Sequence, residues 1–278
     1  MLGKIYSINA GIYHVNDGQN DYKIPALGIL RFQNITPLVG DIVEFNQDVL
    51  TSIKERKNFF IRPKVANIDQ VIVVISLFEP TFQNYLLDKY LAVIEYKRIK
   101  PILFFTKSDL GETKWFDYYS KMGYEVYLVN NNNPKQVKKL KGIFKNKVSV
   151  FLGQSGVGKT STINNLSDND FKVQNISKAL GRGKHTTRLI QIIKFNGGEL
   201  IDTPGFGSLE LDINNLQLAQ SYSFLYNNFS KCKYRSCLHL NEIVNDCYIK
   251  SQVGSDFWPN ERYENYLKLS KETKKENW

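Results

Sequence analysis

Cysteine is nearly missing from this chain: there are three among 278 residues, all between positions 232 and 247. Thiols so few and so clustered exclude a disulfide framework spread over an exported fold. No apolar run approaches the roughly 20 residues that span a bilayer. Residues 1–6 lead into polar sequence, without the apolar segment and small-residue cleavage site of a secretory signal. These absences point to a cytoplasmic protein with no membrane partner. Acidic residues are also in short supply: 27 Asp and Glu against 37 Lys and Arg leave a formal charge of +10. Such an excess suits an acidic polymer, because Lys and Arg gain by displacing counterions from phosphates; a solvated basic surface is the plainer alternative. A hydrophobic content of 42% supports a real core in one large domain or two to three small ones.

The pattern along the chain divides it in three. Residues 1–62 carry short β-rich runs between Gly, Asn and Asp turn signals, which predicts a small barrel of the oligonucleotide-binding type. Arg31, Phe32 and Arg56 are available there for RNA contacts, unless the barrel only braces its neighbour. Residues 63–208 alternate buried apolar strands (71–76, 101–105, 148–152) with a helical pattern over 85–96, the signature of an α/β domain with a parallel sheet. Residues 209–278 read as helical and Tyr-rich around the cysteines, with the charged run 271–276 as a solvated or frayed tail.

Gly153-Gln154-Ser155-Gly156-Val157-Gly158-Lys159-Thr160 follows an apolar strand and opens a helix over 159–166 that includes Ser161. Glycines at this spacing let backbone N–H groups turn toward phosphates at a helix N-terminus, with Lys159 reaching the terminal phosphates and Thr160 offering its hydroxyl to Mg²⁺. Asp202, at a strand end in Asp202-Thr203-Pro204-Gly205, can hold a water of the Mg²⁺ shell, and the Gly205 N–H can face the γ-phosphate. Between them lies a basic loop, Gly181-Arg182-Gly183-Lys184-His185-Thr186-Thr187-Arg188, in which Thr186 or Thr187 can close on Mg²⁺. Phe206 stands where many GTPases place a water-orienting Gln. His185 is therefore the candidate for orienting the attacking water, with docking of the loop on phosphate as its alternative role.

Guanine choice falls to Thr106-Lys107-Ser108-Asp109, directly after a buried strand. The Asp109 carboxylate can accept from both N1–H and the exocyclic amine of guanine, while Lys107 lies along the base and ribose. Val129-Asn130 is the candidate for the loop that completes base recognition. The base loop precedes the phosphate loop, the reverse of the usual order, so the nucleotide domain has been cut and rejoined elsewhere. The barrel and the C-terminal unit are then expected at the two ends of one switchable core, with Gly205 setting the pose of the latter.

Cys232, Cys237, His239 and Cys247 offer three thiols and one imidazole, the donor set of a closed, structural tetrahedral zinc site. Lys231, Lys233 and Arg235 nearby favour thiolate character; buried cysteines without metal are the alternative.

With these residues in view, the chain resembles the RsgA family of circularly permuted GTPases nearly end to end. The resemblance is carried by Arg62-Pro63-Lys64-Val65-Ala66-Asn67-Ile68-Asp69-Gln70, the phosphate loop, the basic loop, residues 202–206 and the cysteine cluster. It implies an N-terminal barrel, a central P-loop GTPase domain and a C-terminal helical zinc-binding domain. It also implies GTP/GDP, Mg²⁺ and one structural Zn²⁺ as cofactors, and a monomer that binds the 30S ribosomal subunit and its 16S rRNA and hydrolyses GTP late in maturation. The chain departs from the family pattern in two places: Thr106 stands where Asn is usual, and seven residues rather than five separate His239 from Cys247. An RNA-binding assembly scaffold with a purely structural nucleotide pocket is the main rival reading, and an ATP-driven RNA remodeller a third.

Overall fold

The computed structural model describes residues 1–28, 36–111, 114–167, 190–203 and 207–273. Five strands form the N-terminal barrel: β1 (Leu2–Asn9), β2 (Ile12–Asn16), β3 (Asp21–Pro25), β4 (Ile42–Phe45) and β5 (Leu50–Ile53). Strand β1 pairs antiparallel with both β2 and β4, and a parallel bridge between Ala26 and Leu50 closes the ring. Alternation puts Ile5, Val15, Ile24, Val43, Phe45 and Leu50 inside it. Arg56 is not available to RNA as expected. Its guanidinium clamps the fully buried Asp41 at 2.7 and 2.8 Å and also donates to the Thr36 carbonyl. Arg31 and Phe32 lie outside the described residues.

A hairpin of β6 (Phe59–Phe60) and β7 (Val65–Ala66) leads into the α/β domain. There, β8 (Gln70–Ser76), α1 (Asn84–Tyr96), β9 (Lys100–Thr106), α2 (Lys114–Lys121), β10 (Glu125–Val129), α3 (Pro134–Lys138), β11 (Val148–Leu152), α4 (Lys159–Leu166), β12 (Gln191–Phe195) and β13 (Gly198–Asp202) follow in order. In space the strands run β10-β9-β8-β11-β13-β12, all parallel except β12. Both faces are covered, which explains the near-continuous apolar strands. Val71 and Val73 face the core that contains α1, whereas Ile72 and Val74 face the core that contains Leu166 of α4.

Neither terminal unit simply hangs from an end of this domain. Strand β12 pairs with β1 of the barrel at Gln191 and Ser7, making one continuous sheet of 11 strands. Glu199 of β13 reinforces the joint, accepting from Lys4 (2.7 Å), Tyr6 (2.5 Å) and Lys194 (3.0 Å). At the other end come α5 (Asn215–Ala219), α6 (Ser223–Asn228), α7 (Tyr248–Ser251) and α8 (Asn260–Glu272). Tyr222, Trp258, Tyr266 and Leu269 join the same core as Leu87 and Leu91 of α1. Within that interface Arg262 is buried, 3.8 Å from Asp88 and 3.9 Å from Glu95, with its guanidinium 4.2 Å from the Tyr222 ring centroid. Of the charged run, Glu272 bonds Lys89 and Tyr85 and Thr273 bonds Asn215, so its start is tied down; residues 274–276 lie outside the described residues. No helix among the described residues is long and apolar enough to cross a membrane.

Candidate functional site

The chain runs outward from β8 through β9 to β10, then returns to place β11 on the other side of β8. Such a reversal opens a crevice at the carboxyl ends of the strands, where α/β sheets bind their ligands. Registers put the ends of β8, β9 and β10 level, Ser76 opposite Thr106 and Thr106 opposite Val129, while β11 and β13 lead their loops to the same edge.

The phosphate loop turns directly after β11. Its backbone needs glycine: at Gly153 a Cβ would sit 2.2 Å from the Val74 carbonyl, and Gly158 has φ +93°, left-handed, just ahead of α4. Ser155, Gly156, Thr160 and Ser161 are exposed at the mouth, Val157 is buried as an anchor, and Gln154 is half-buried. The Lys159 ammonium folds back onto the Gly153 and Gln154 carbonyls, and burial lowers its pKa. Phosphate oxygens would replace those carbonyls as stronger partners for a desolvated cation.

The base loop is tied to the phosphate loop through the residue in which this chain departs from the family pattern. Thr106 is fully buried, and its hydroxyl donates to the Val157 carbonyl at 2.6 Å, with the Ile75 carbonyl at 3.2 Å. Lys107 has φ +57° and its ammonium reaches the Glu79 carbonyl; Ser108 is half-buried and Asp109 exposed. Sequence reasoning stopped at Val129-Asn130 and missed the two residues that follow. Asn132 donates to the Asp109 carboxylate at 3.0 Å, and the Asn131 side chain accepts from Thr162 of α4 at 3.1 Å. A run of four asparagines carries no motif, so only the tertiary placement reveals this third wall.

Asp202 ends β13, and burial pushes its carboxyl up to about 6. One of its oxygens is buried with no hydrogen-bond partner among the described residues. An orphaned buried carboxylate beside a phosphate loop fits a divalent cation, whose charge would hold the group ionised. Thr160 and Asp202 are the described residues that can serve Mg²⁺ in this way. Gly205 and Phe206, and the basic loop with His185, Thr186 and Thr187, lie outside the described residues.

Far from this edge, Cys232, Cys237, His239 and Cys247 converge with all ligand atoms within 4.8 Å of one another. The His239 Nδ1 lies 3.2, 3.4 and 3.8 Å from the Sγ atoms of Cys237, Cys247 and Cys232, and Cys232 and Cys247 are 4.0 Å apart. Ligands at zinc bond lengths on a tetrahedron are about 3.3–3.8 Å apart, so the set fits the ion. The other ring nitrogen, Nε2, lies 3.2 Å from the Ala219 carbonyl, which holds its proton and leaves Nδ1 free to coordinate. The two extra residues before Cys247 are absorbed by a 3-10 turn, Val244–Asp246, that returns its thiol to the cluster. Lys233 does not polarise the thiols; it pairs with Asp246 at 3.0 Å, and burial raises the pKa of Cys237.

Comparison with known proteins agrees with this arrangement. A family model described as RsgA GTPase matches residues 53–212, and one described as RsgA N-terminal domain matches residues 2–51. The small ribosomal subunit biogenesis GTPase RsgA of Mycoplasmopsis agalactiae is 50% identical over 99% of both chains. That of Bacillus subtilis is 38% identical over 98% of this chain and 97% of its own. Among solved structures, YloQ, described as a circularly permuted GTPase, superposes with a TM-score of 0.75 at 34% identity, covering 98% of this chain and 94% of that one. YjeQ from Thermotoga maritima gives 0.77 at 28% identity, covering 98% and 97%.

Proposed function

The chain belongs to the RsgA family of circularly permuted GTPases, and from that membership we propose a GTPase of small ribosomal subunit biogenesis whose hydrolysis is stimulated by the 30S subunit and releases the protein from it. The observation that carries the reading is the crevice itself: a base loop, a phosphate loop and an orphaned carboxylate at one sheet edge, with Thr106 bonded to Val157 between the two loops. Asp109 selects guanine, and its exposed carboxylate already holds an amide N–H donor, that of Asn132. Gly153, Gly156 and Gly158 shape the cradle, Lys159 meets the terminal phosphates, and Thr160 and Asp202 serve Mg²⁺ with Thr186 or Thr187. Mg²⁺ supplies charge neutralisation on the β- and γ-phosphates when bound.

His185 orients the attacking water, since Phe206 offers no hydrogen bond. The Cys232, Cys237, His239 and Cys247 cluster holds one structural Zn²⁺, because four protein ligands leave no open position for chemistry. The protein acts as a monomer, and its +10 charge meets 16S rRNA. Nucleotide state reaches the RNA-facing units along two routes. One is β12, paired with the barrel; the other is the extended segment 207–214 after residues 202–205, whose Gly207 carbonyl accepts from Tyr90 of α1 at 2.8 Å.

Sedimentation of His185→Ala with 30S subunits tests the cycle. The variant should stay on subunits with GTP, as wild type should with a non-hydrolysable analogue. Wild-type hydrolysis and release by the variant would remove His185 from the mechanism.

A further inference from the structure

A second cleft of about 610 Å³ opens at the opposite end of the sheet, where β9 and β10 begin and the C-terminal helices pack. Lys100 starts the seven-residue strand that ends at Thr106, so the cleft stands on the order of 20 Å from the guanine loop. At its floor lies Arg262, 2% exposed, whose Nη1 meets the Met122 sulfur at 3.0 Å, whose Nη2 donates to Tyr124, and whose charge is answered by Asp88 at 3.8 Å and Glu95 at 3.9 Å. A guanidinium paired in this way closes the floor, which leaves the exposed Arg98 at the rim to meet a phosphate. Of the carboxylates of the lining, Glu95 faces Arg262 and accepts from the Ser223 amide and from Tyr124, and Glu125 pairs with Lys100 at 2.5 Å.

The walls are aromatic. Phe257 is 58% exposed and Tyr226 46% exposed, large fractions for such rings. Phe224 sits behind them, stacked on Trp258 at 14° between planes. The exposed Arg98 lays its guanidinium 3.4 Å from the Tyr226 ring centroid. Open, flat rings flanked by an arginine plane match the requirements of a base lifted out of its stack, with its phosphate at the rim.

We propose that this cleft takes one unstacked base of single-stranded RNA, its ring against Tyr226 and Phe257 and its phosphate against Arg98. The proposal deepens the RNA side of the function given above. Its deciding measurement is oligonucleotide binding and needs no GTP turnover, so the two readings fail separately.

Fluorescence anisotropy of the full chain with a labelled single-stranded hexaribonucleotide, and with the same strand carrying one abasic position, provides that test. Wild type should bind the intact strand about tenfold more tightly than the abasic one. The double variant Tyr226→Ala/Phe257→Ala should lose that preference while keeping wild-type GDP affinity and the same salt dependence. Equal affinities of wild type for the two strands, or an undiminished preference in the double variant, would overturn the proposal. Loss of 30S association by the variant with unchanged oligonucleotide affinity would also overturn it, and would assign the cleft to a protein partner.

Discussion

At the scale of single residues, Thr106 is the position where a small chemical change has the clearest reach. A buried hydroxyl bonded to the Val157 carbonyl makes the base loop and phosphate loop one unit, so its loss is felt by nucleotide rather than only by the core. Thr106→Val keeps the shape and removes the donor, and isothermal titration should show GDP affinity falling by about three- to tenfold. Thr106→Ser, which retains the hydroxyl, should recover most of it; equal weakening by both would mean that packing, not the hydrogen bond, matters there. Asp202 shows the complementary case, a carboxylate with one buried oxygen that has no hydrogen-bond partner among the described residues.

Between elements, the joint of β1, β12 and β13 is electrostatic at its centre. Burial works to raise the Glu199 carboxyl, but hydrogen bonds from Lys4, Tyr6 and Lys194 overcome it and bring the group down to about 2. A carboxylate lowered in the folded state contributes stability that is present above its unfolded value of about 4.5 and fades as pH falls toward 2. Glu199→Gln should therefore cost about 2 kcal/mol in urea unfolding at pH 7, and the gap from wild type should shrink at pH 3. A gap independent of pH would mean that the ion cluster is incidental. The C-terminal helices carry the cysteine cluster. Protein purified without chelator should carry about one zinc per chain, and Cys247→Ser should lose metal and lower Tm. Full metal content in that variant would remove Cys247 from the ligand set.

Over the whole molecule, legibility followed the range of the interaction. Strands buried on both faces show as apolar runs, and the phosphate loop shows because its glycines are forced by contacts as close as 2.2 Å. The five-stranded barrel and the clustering of four ligands in 16 positions are similarly local. Pairing of Ser7 with Gln191 leaves no trace in either segment, because any strand edge can accept another. Arg56 reads as an RNA contact, since nothing in its neighbours announces Asp41, and nothing near Arg262 in sequence announces Asp88. The third wall of the base site escaped for the same reason, its asparagines being common loop residues.

The order of base loop before phosphate loop is what allows the barrel and the helices that carry the cysteine cluster to be built into the two flanks of one nucleotide domain. Multiple-turnover GTP hydrolysis with and without purified 30S subunits tests most directly whether that assembly is a subunit-driven GTPase. Turnover should rise saturably with subunit concentration, and excess ATP should not compete. A rate indifferent to subunits, or ATP hydrolysed as readily as GTP, would contradict it.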